Sequence, residues 1–171
     1  MGWTCVLAEK PSVARDIARV LGAREAGEGC LKGNGYVVTW ALGHLVTQCN
    51  PDEIDPRWKA WRRDTLPILP EEIPLKVVPT AAARKQFALV KKILNAPQVE
   101  RIVCATDAGR EGELIFRRIY AFARCKKPVF RLWISSMEDA AIKKGFAELR
   151  PGREYDGLHQ SALCRARADW L

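Results

Sequence analysis

Acids and bases cluster at two places in this sequence where an apolar run gives way to helical spacing. Glu9 follows the run from Trp3 to Ala8 and is followed at once by Lys10. Asp107 follows the run from Arg101 to Thr106, with Arg110, Glu111 and Glu113 close behind. Asp107 and Glu111 are four residues apart, so across a strand-to-helix bend both carboxylates can face one solvent pocket, as a hard divalent cation needs. Magnesium is the natural candidate, because it is content with one or two carboxylates and keeps several waters. Lys10 and Arg110 either form solvated surface pairs worth ~0 to 1 kcal/mol each, or bind a phosphate whose opposite face is held by metal, the arrangement phosphoryl transfer requires. For Asp107 the bland alternative is a helix cap, with the glutamates favouring the helix dipole.

The elements around these residues must place them together. WTCVLA (Trp3 to Ala8) reads as a buried strand, and the helix after Pro11 carries Val13, Ile17, Val20 and Leu21 until Gly22 stops it. Gly33 to Gly43 reads as a turn and a second strand, followed by a loop with His44 and Leu45. Asn50 to Pro79 holds six prolines, so extended excursions with little regular structure are expected there. A helix follows over Ala81 to Leu94, with Phe87, Val90 and Leu94 on one face, then a strand over Arg101 to Thr106. Next come a helix over Arg110 to Arg124, with Ile115, Ile119 and Phe122 inward, and a strand over Val129 to Ile134. Ser135 and Ser136 supply a cap for a helix over Met137 to Leu149, and helical spacing resumes from Tyr155 in Leu158, Ala162, Arg165 and Asp169. Strands alternating with helices imply an α/β fold, a mostly parallel sheet flanked by helices. Ligands of such sheets gather at the carboxyl ends of strands, where Glu9 and Asp107 fall.

Composition narrows the class further. In 171 residues, 48% hydrophobic and 28% charged residues suit a globular domain, or one domain and the start of another, and exclude disorder, collagen and coiled coil. Apolar runs fall short of the ~20 residues of a membrane span, and the amino terminus lacks a signal-peptide pattern, so a cytoplasmic protein is expected. The six cysteines include no CxxC, which disfavours a zinc site and leaves Cys5 and Cys104 as buried thiols in strands. A net charge of +8 favours a polyanionic partner.

Three further features bear on that partner. By residue type alone His44, one of two histidines, reads as a buried, hydrogen-bonded histidine. The stretch from Arg57 to Arg63 joins bases with Trp58 and Trp61, the composition of a surface where single-stranded bases stack on Trp61 and phosphates pair with Arg62. A solvated basic loop with inward tryptophans fits the same residues. Arg165, four residues before Asp169, is spaced for an i, i+4 ion pair on a helix. The final helical pattern stops at Trp170-Leu171 without a cap, which leads us to expect the front part of a longer protein.

Taken together, Ala8-Glu9-Lys10-Pro11-Ser12, Gly43-His44-Leu45, Ala105-Thr106-Asp107-Ala108-Gly109-Arg110-Glu111-Gly112-Glu113 and Ala166-Arg167-Ala168-Asp169-Trp170-Leu171 resemble, in order, motifs of bacterial type IA DNA topoisomerases of the topoisomerase III kind. The resemblance covers nearly the whole chain. It implies a Toprim domain, a small Rossmann-like unit, over 1–150, with 151–171 beginning the next, helical DNA-binding domain. By matching position, Glu9 resembles the general acid to the 3′-hydroxyl leaving group, close to the metal, and Lys10 the lysine on the scissile phosphate. Asp107 and Glu111 resemble the first and third acids of the Asp-x-Asp-x-Glu pattern that holds magnesium, and Arg110 the arginine between them. Gly109 stands where the middle acid is expected, so coordination would rely on Glu9, Asp107 and Glu111. The resemblance also sets His44 and Arg165 near DNA.

The implied activity is ATP-independent, magnesium-dependent cleavage and rejoining of one DNA strand, acting chiefly on single-stranded segments in the cytoplasm at the nucleoid. The family's tyrosine nucleophile lies in a later domain; Tyr36, Tyr120 and Tyr155 do not match its motif, so this chain alone is expected to be inactive. A primase- or nuclease-type Toprim protein would use the same acids, but the Gly-His-Leu loop and the Ala-Asp-Trp-Leu ending argue against it. A non-catalytic phosphate-binding module is the remaining alternative, favoured by the missing middle acid.

Overall fold

The structure, a computed structural model, describes residues 2–60 and 62–169 of the chain. It begins with β1 (Trp3–Ala8), in which Cys5 to Ala8 are sealed on both faces, as the continuous apolar run requires. After α1 (Pro11–Leu21), with Pro11 in the first turn where its missing N–H costs nothing, the chain makes a hairpin of β2 (Glu25–Gly27) and β3 (Cys30–Gly33). It then enters β4 (Tyr36–Trp40), antiparallel to β3 and parallel to β1. A small outlying sheet pairs β5 (Val46–Gln48) with β6 (Leu75–Val77), enclosing the short α2 (Pro51–Ile54) and two 3-10 turns, Pro56–Lys59 and Arg63–Thr65.

The second half runs α3 (Ala81–Leu94), β7 (Val99–Ala105), α4 (Arg110–Phe122), β8 (Val129–Arg131), α5 (Asp139–Ala147) and β9 (Arg150–Pro151). A 3-10 turn, Gly152–Tyr155, leads into α6 (Asp156–Ala168). Spatially the seven strands lie in the order β2-β3-β4-β1-β7-β8-β9, and the central four, β4, β1, β7 and β8, are parallel. From β1 the chain crosses to β4 on one side and later returns to β7 on the other. The crevice between the carboxyl ends of β1 and β7 is therefore a topological switch point, where a ligand can enter.

Strand alternation divides the interior into two layers. Cys5, Leu7, Ile102 and Cys104 face Phe87, Val90 and Leu94 of α3 and Ile115, Phe116 and Ile119 of α4. Val6, Ala8, Val103 and Ala105 face Ala14, Ile17 and Ala18 of α1 and Ile142 of α5. Cys5 and Cys104 are buried thiols as expected, and burial pushes both thiols up.

Several local expectations need correction. The β2–β3 hairpin was not legible in a Gly-rich, largely exposed stretch without alternation. The strand of Val129 ends at Arg131 rather than Ile134, because Trp133 leaves the sheet to stack on Tyr155 at a centroid distance of 5.1 Å. Ser136 does not cap α5; its hydroxyl accepts the Glu138 N–H at 3.2 Å within the preceding turn, and Glu138 occupies the cap position. Phe122 lies at the rim against Phe87, 5.4 Å between centroids, while Phe116 takes the interior place. No helix among the described residues is long and apolar enough to cross a membrane.

Candidate active site

Glu9 is the first residue after β1, and Asp107 stands two residues beyond β7, so parallel pairing of these strands sets the two side by side. The main-chain N–H of Asp107 donates to a Glu9 carboxylate oxygen at 3.1 Å, and Glu9 is only 8% exposed. Lys10 approaches from the same loop, its Nζ 3.7 Å from Asp107 Oδ2, with both side chains more than half exposed. Asp107 does not cap α4. Gly109 holds that position and offers no side chain, leaving the Asp107 carboxylate available.

Two glycines shape this edge. Gly43 has φ of 70°, a left-handed turn that suits glycine, and its N–H donates to the Glu9 carbonyl at 3.2 Å. That turn delivers His44, whose Nε2 lies 2.5 Å from Glu111 Oε1, so the histidine is neither buried nor free but partnered with the third acid. Gly112 lets the first turn of α4 press on the end of β7; a Cβ there would sit 2.1 Å from the Asp107 carbonyl oxygen. Thr106 seals the junction by donating its hydroxyl to the Gly112 carbonyl at 2.7 Å.

Between α4 and α6 a cleft of about 470 Å³ is lined by Asp107, Arg110, Glu111, Ala162, Arg165 and Asp169 among others. Arg165 is thus brought to the acids, and the alternative reading is realised at the same time: its Nε lies 3.6 Å from Asp169 Oδ1. Both side chains are about two-thirds exposed, so the pair is worth little and leaves the guanidinium accessible. The α6 helix is tied down through Gln48, which accepts from Arg118 at 3.1 Å and donates to the Ala166 carbonyl at 3.2 Å. Burial pushes the Arg118 guanidinium below its ordinary value.

The basic aromatic stretch is not joined to this cleft by any hydrogen bond or ion pair among the described residues. Arg62 pairs with Asp64 at 2.9 and 3.0 Å, Arg57 pairs with Asp55, and Trp61 lies outside the described residues. Among the described residues no three His, Cys, Asp or Glu side chains converge as a ligand set. Glu111 is engaged by His44 instead. The oxygen-donor chemistry of Glu9 and Asp107 still fits a hard cation that keeps most of its waters.

Sequence reasoning missed the groups behind the acids. Glu113 and Arg131, 2% and 1% exposed, form a buried pair with Nε 3.3 Å from Oε2, and Arg117 closes on the other Glu113 oxygen at 2.8 Å. The available signal was an arginine inside the apolar run VFRLWI, a charge that can be buried only with partners.

Comparison with known proteins bears on the whole chain. The family described as Toprim domain matches residues 4–137. The chain is 55% identical over 165 residues to DNA topoisomerase 3 of Shouchella clausii, covering 96% of this chain and 22% of that protein. It is 54% identical over 171 residues to DNA topoisomerase 3 of Bacillus subtilis, covering 100% of this chain and 23% of that one. The chain therefore spans less than a quarter of the length of these curated relatives. In fold it is similar to full-length topoisomerase I from Thermotoga maritima, with a TM-score of 0.55 and 19% identity over 86% of this chain and 21% of that one.

Proposed function

Because the chain belongs to the Toprim domain family, we propose that it is the acid- and metal-bearing part of a type IA DNA topoisomerase of the topoisomerase III kind, acting chiefly on single-stranded DNA. The observation that carries this reading is the contact of Glu9 with the Asp107 amide at the switch point of the sheet. It supports a phosphate-handling edge, where acids from two strand ends meet, Lys10 pairs with Asp107, and Arg110 of α4 and Arg165 of α6 line the cleft beside Asp107. The same reading takes 1–150 as the Toprim domain, within which the family match covers 4–137, and 151–171 as the start of a helical DNA-binding domain. It also takes the protein to work in the cytoplasm at the nucleoid, where its DNA would be.

In this reading the hydroxyl oxygen of a tyrosine from elsewhere in the parent chain attacks the scissile phosphorus, its phenolic proton passing to solvent water. The P–O3′ bond breaks, its electron pair passes to the 3′-oxygen, and Glu9 gives that oxygen a proton to leave a 3′-hydroxyl. Lys10 and Arg110 offset the charge on the phosphate oxygens, and Arg165 holds the strand along the cleft. Bound magnesium supplies further neutralisation of the phosphate. Glu9 and Asp107 would hold it, with Glu111 contributing once it leaves His44.

The reading gives the chain's own tyrosines no part in the attack: Tyr120 donates to the Lys127 carbonyl at 2.7 Å, Tyr36 packs edge-on to Phe146, and Tyr155 stacks on Trp133. Covalent trapping of a labelled single-stranded oligonucleotide with magnesium tests the proposal. The full gene product that carries this chain should form an adduct, Glu9→Ala should slow its formation by ~10²- to 10⁴-fold, and the 171-residue chain should form none. An adduct on this chain alone, or full cleavage by Glu9→Ala, would overturn it.

A further inference from the structure

Arg131 is the largest fully buried side chain among the described residues, a charge at the last position of β8 where the neighbouring positions are apolar. Its partners explain its burial. One terminal nitrogen donates to the Thr106 carbonyl at 2.7 Å and lies 3.2 Å from the Cys104 carbonyl; the other donates to the Asp107 carbonyl at 2.7 Å. The Trp133 ring lies over the guanidinium at 5.1 Å, and Glu113 balances its charge from 3.3 Å. The Cys104 carbonyl already accepts the Leu132 N–H at 3.0 Å, whereas the Thr106 and Asp107 carbonyls lie beyond β7, and buried carbonyls must find donors. The planar guanidinium supplies several at once in fixed directions, which a lysine ammonium cannot do.

We propose that Arg131 is a positioning residue for the acid pair, holding both peptide planes that flank Asp107. A peptide unit is planar, so fixing one end fixes the other. The unit joining Thr106 to Asp107 has its carbonyl on Arg131 and its N–H on Glu9, at 2.7 and 3.1 Å. The unit after Asp107 is held through its carbonyl by the second terminal nitrogen. With both planes fixed, the Asp107 Cα–Cβ bond leaves the backbone in one direction, which sets the arc its carboxylate can reach, and Glu9 is anchored to the same frame. Glu113 supports Arg131 as the buried counter-charge, with Oε2 3.3 Å from Nε. The link to catalysis rests on the reading of this edge as the phosphate- and metal-handling site.

The test uses the 171-residue chain and reads the Asp107 amide by NMR alongside a magnesium titration. A double substitution, Glu113→Gln with Arg131→Met, removes both charges and strands neither. It should keep the signals of β1 and α3 in place, shift the Asp107 amide and lower its exchange protection at least tenfold. Magnesium affinity should fall by about 10- to 100-fold, the usual loss when an outer partner of a ligand is removed. Arg131→Lys, which keeps the charge but not the fork, should recover only part of either quantity. In the native chain the Arg131 guanidinium protons should be sharp and slow to exchange.

A folded double variant with an unchanged Asp107 amide would overturn the proposal. So would a double variant that does not fold, which would make the pair structural, or rapidly averaging guanidinium protons in the native chain. If the native chain gives no magnesium response, the metal reading fails, while the Asp107 amide still decides the role of Arg131.

Discussion

His44 and Glu111, 67 residues apart in sequence, meet at 2.5 Å and so engage the third acid of the edge away from Glu9 and Asp107. The pair is exposed on both sides, 38% and 69%, which limits its strength. His44→Ala should therefore free Glu111 and strengthen magnesium binding by at most about fivefold, equivalent to the ~1 kcal/mol of an exposed pair. Titration calorimetry on the two chains measures this; weaker binding in the variant would mean that His44 orients Glu111 toward the cation.

Gly112→Ala should destabilise the chain by ~1 to 3 kcal/mol, the range for forcing atoms into a packed junction. The added Cβ would meet the Asp107 carbonyl oxygen at 2.1 Å, and that oxygen is backbone, so the turn itself must move. Urea unfolding gives the stability, and the magnesium response should be lost with it. Gly157→Ala, exposed in α6 where the Cβ meets nothing within 4 Å, is the control, expected to gain ~0.5 to 1 kcal/mol from helix propensity and to keep the magnesium response.

Single-stranded DNA should bind with strong salt dependence, as expected for a protein of net charge +8. Arg165→Ala should lower the slope of log affinity against log salt by about one, since the guanidinium lines the cleft beside Asp107. Arg62→Ala should do less, because Arg62 already pairs with Asp64. Fluorescence anisotropy over a series of salt concentrations separates the two; an unchanged slope for Arg165→Ala would remove α6 from the DNA path.

Acidification should loosen the anchorage of α6. Burial pushes the His159 imidazole below its ordinary value of 6.5, Arg117 and Arg118 add repulsion, and Asp156 opposes them in part. Between the lowered folded value and 6.5 the unfolded chain binds more protons than the folded one, so stability falls as pH drops through that window and then levels off. Urea midpoints at pH 7.5 and at ~5 should differ more for the native chain than for His159→Gln. Equal differences would show that another group governs the change.

What the sequence by itself determined lies in local periodicity. The buried runs of β1 and β7, the amphipathic spacing of α1, α3 and α4, and the acids at the strand-to-helix junctions could be read without coordinates, because each depends on residues a few positions apart. The β2–β3 hairpin escaped, since its short exposed strands carry no alternation, and so did the early end of β8, which depends on Tyr155 offering Trp133 a ring. The site divided in the same way. Which residues carry charge was plain, but Glu9 meets an amide 98 residues away, and Glu111 is partnered by His44, 67 residues away. Arg131 reads as a flaw in an apolar strand until three carbonyls of the neighbouring chain end surround it. Those pairings follow from the order β4-β1-β7-β8 and from the way the chain leaves each strand, and strand order is a property of the packed sheet, fixed by contacts that no local pattern encodes.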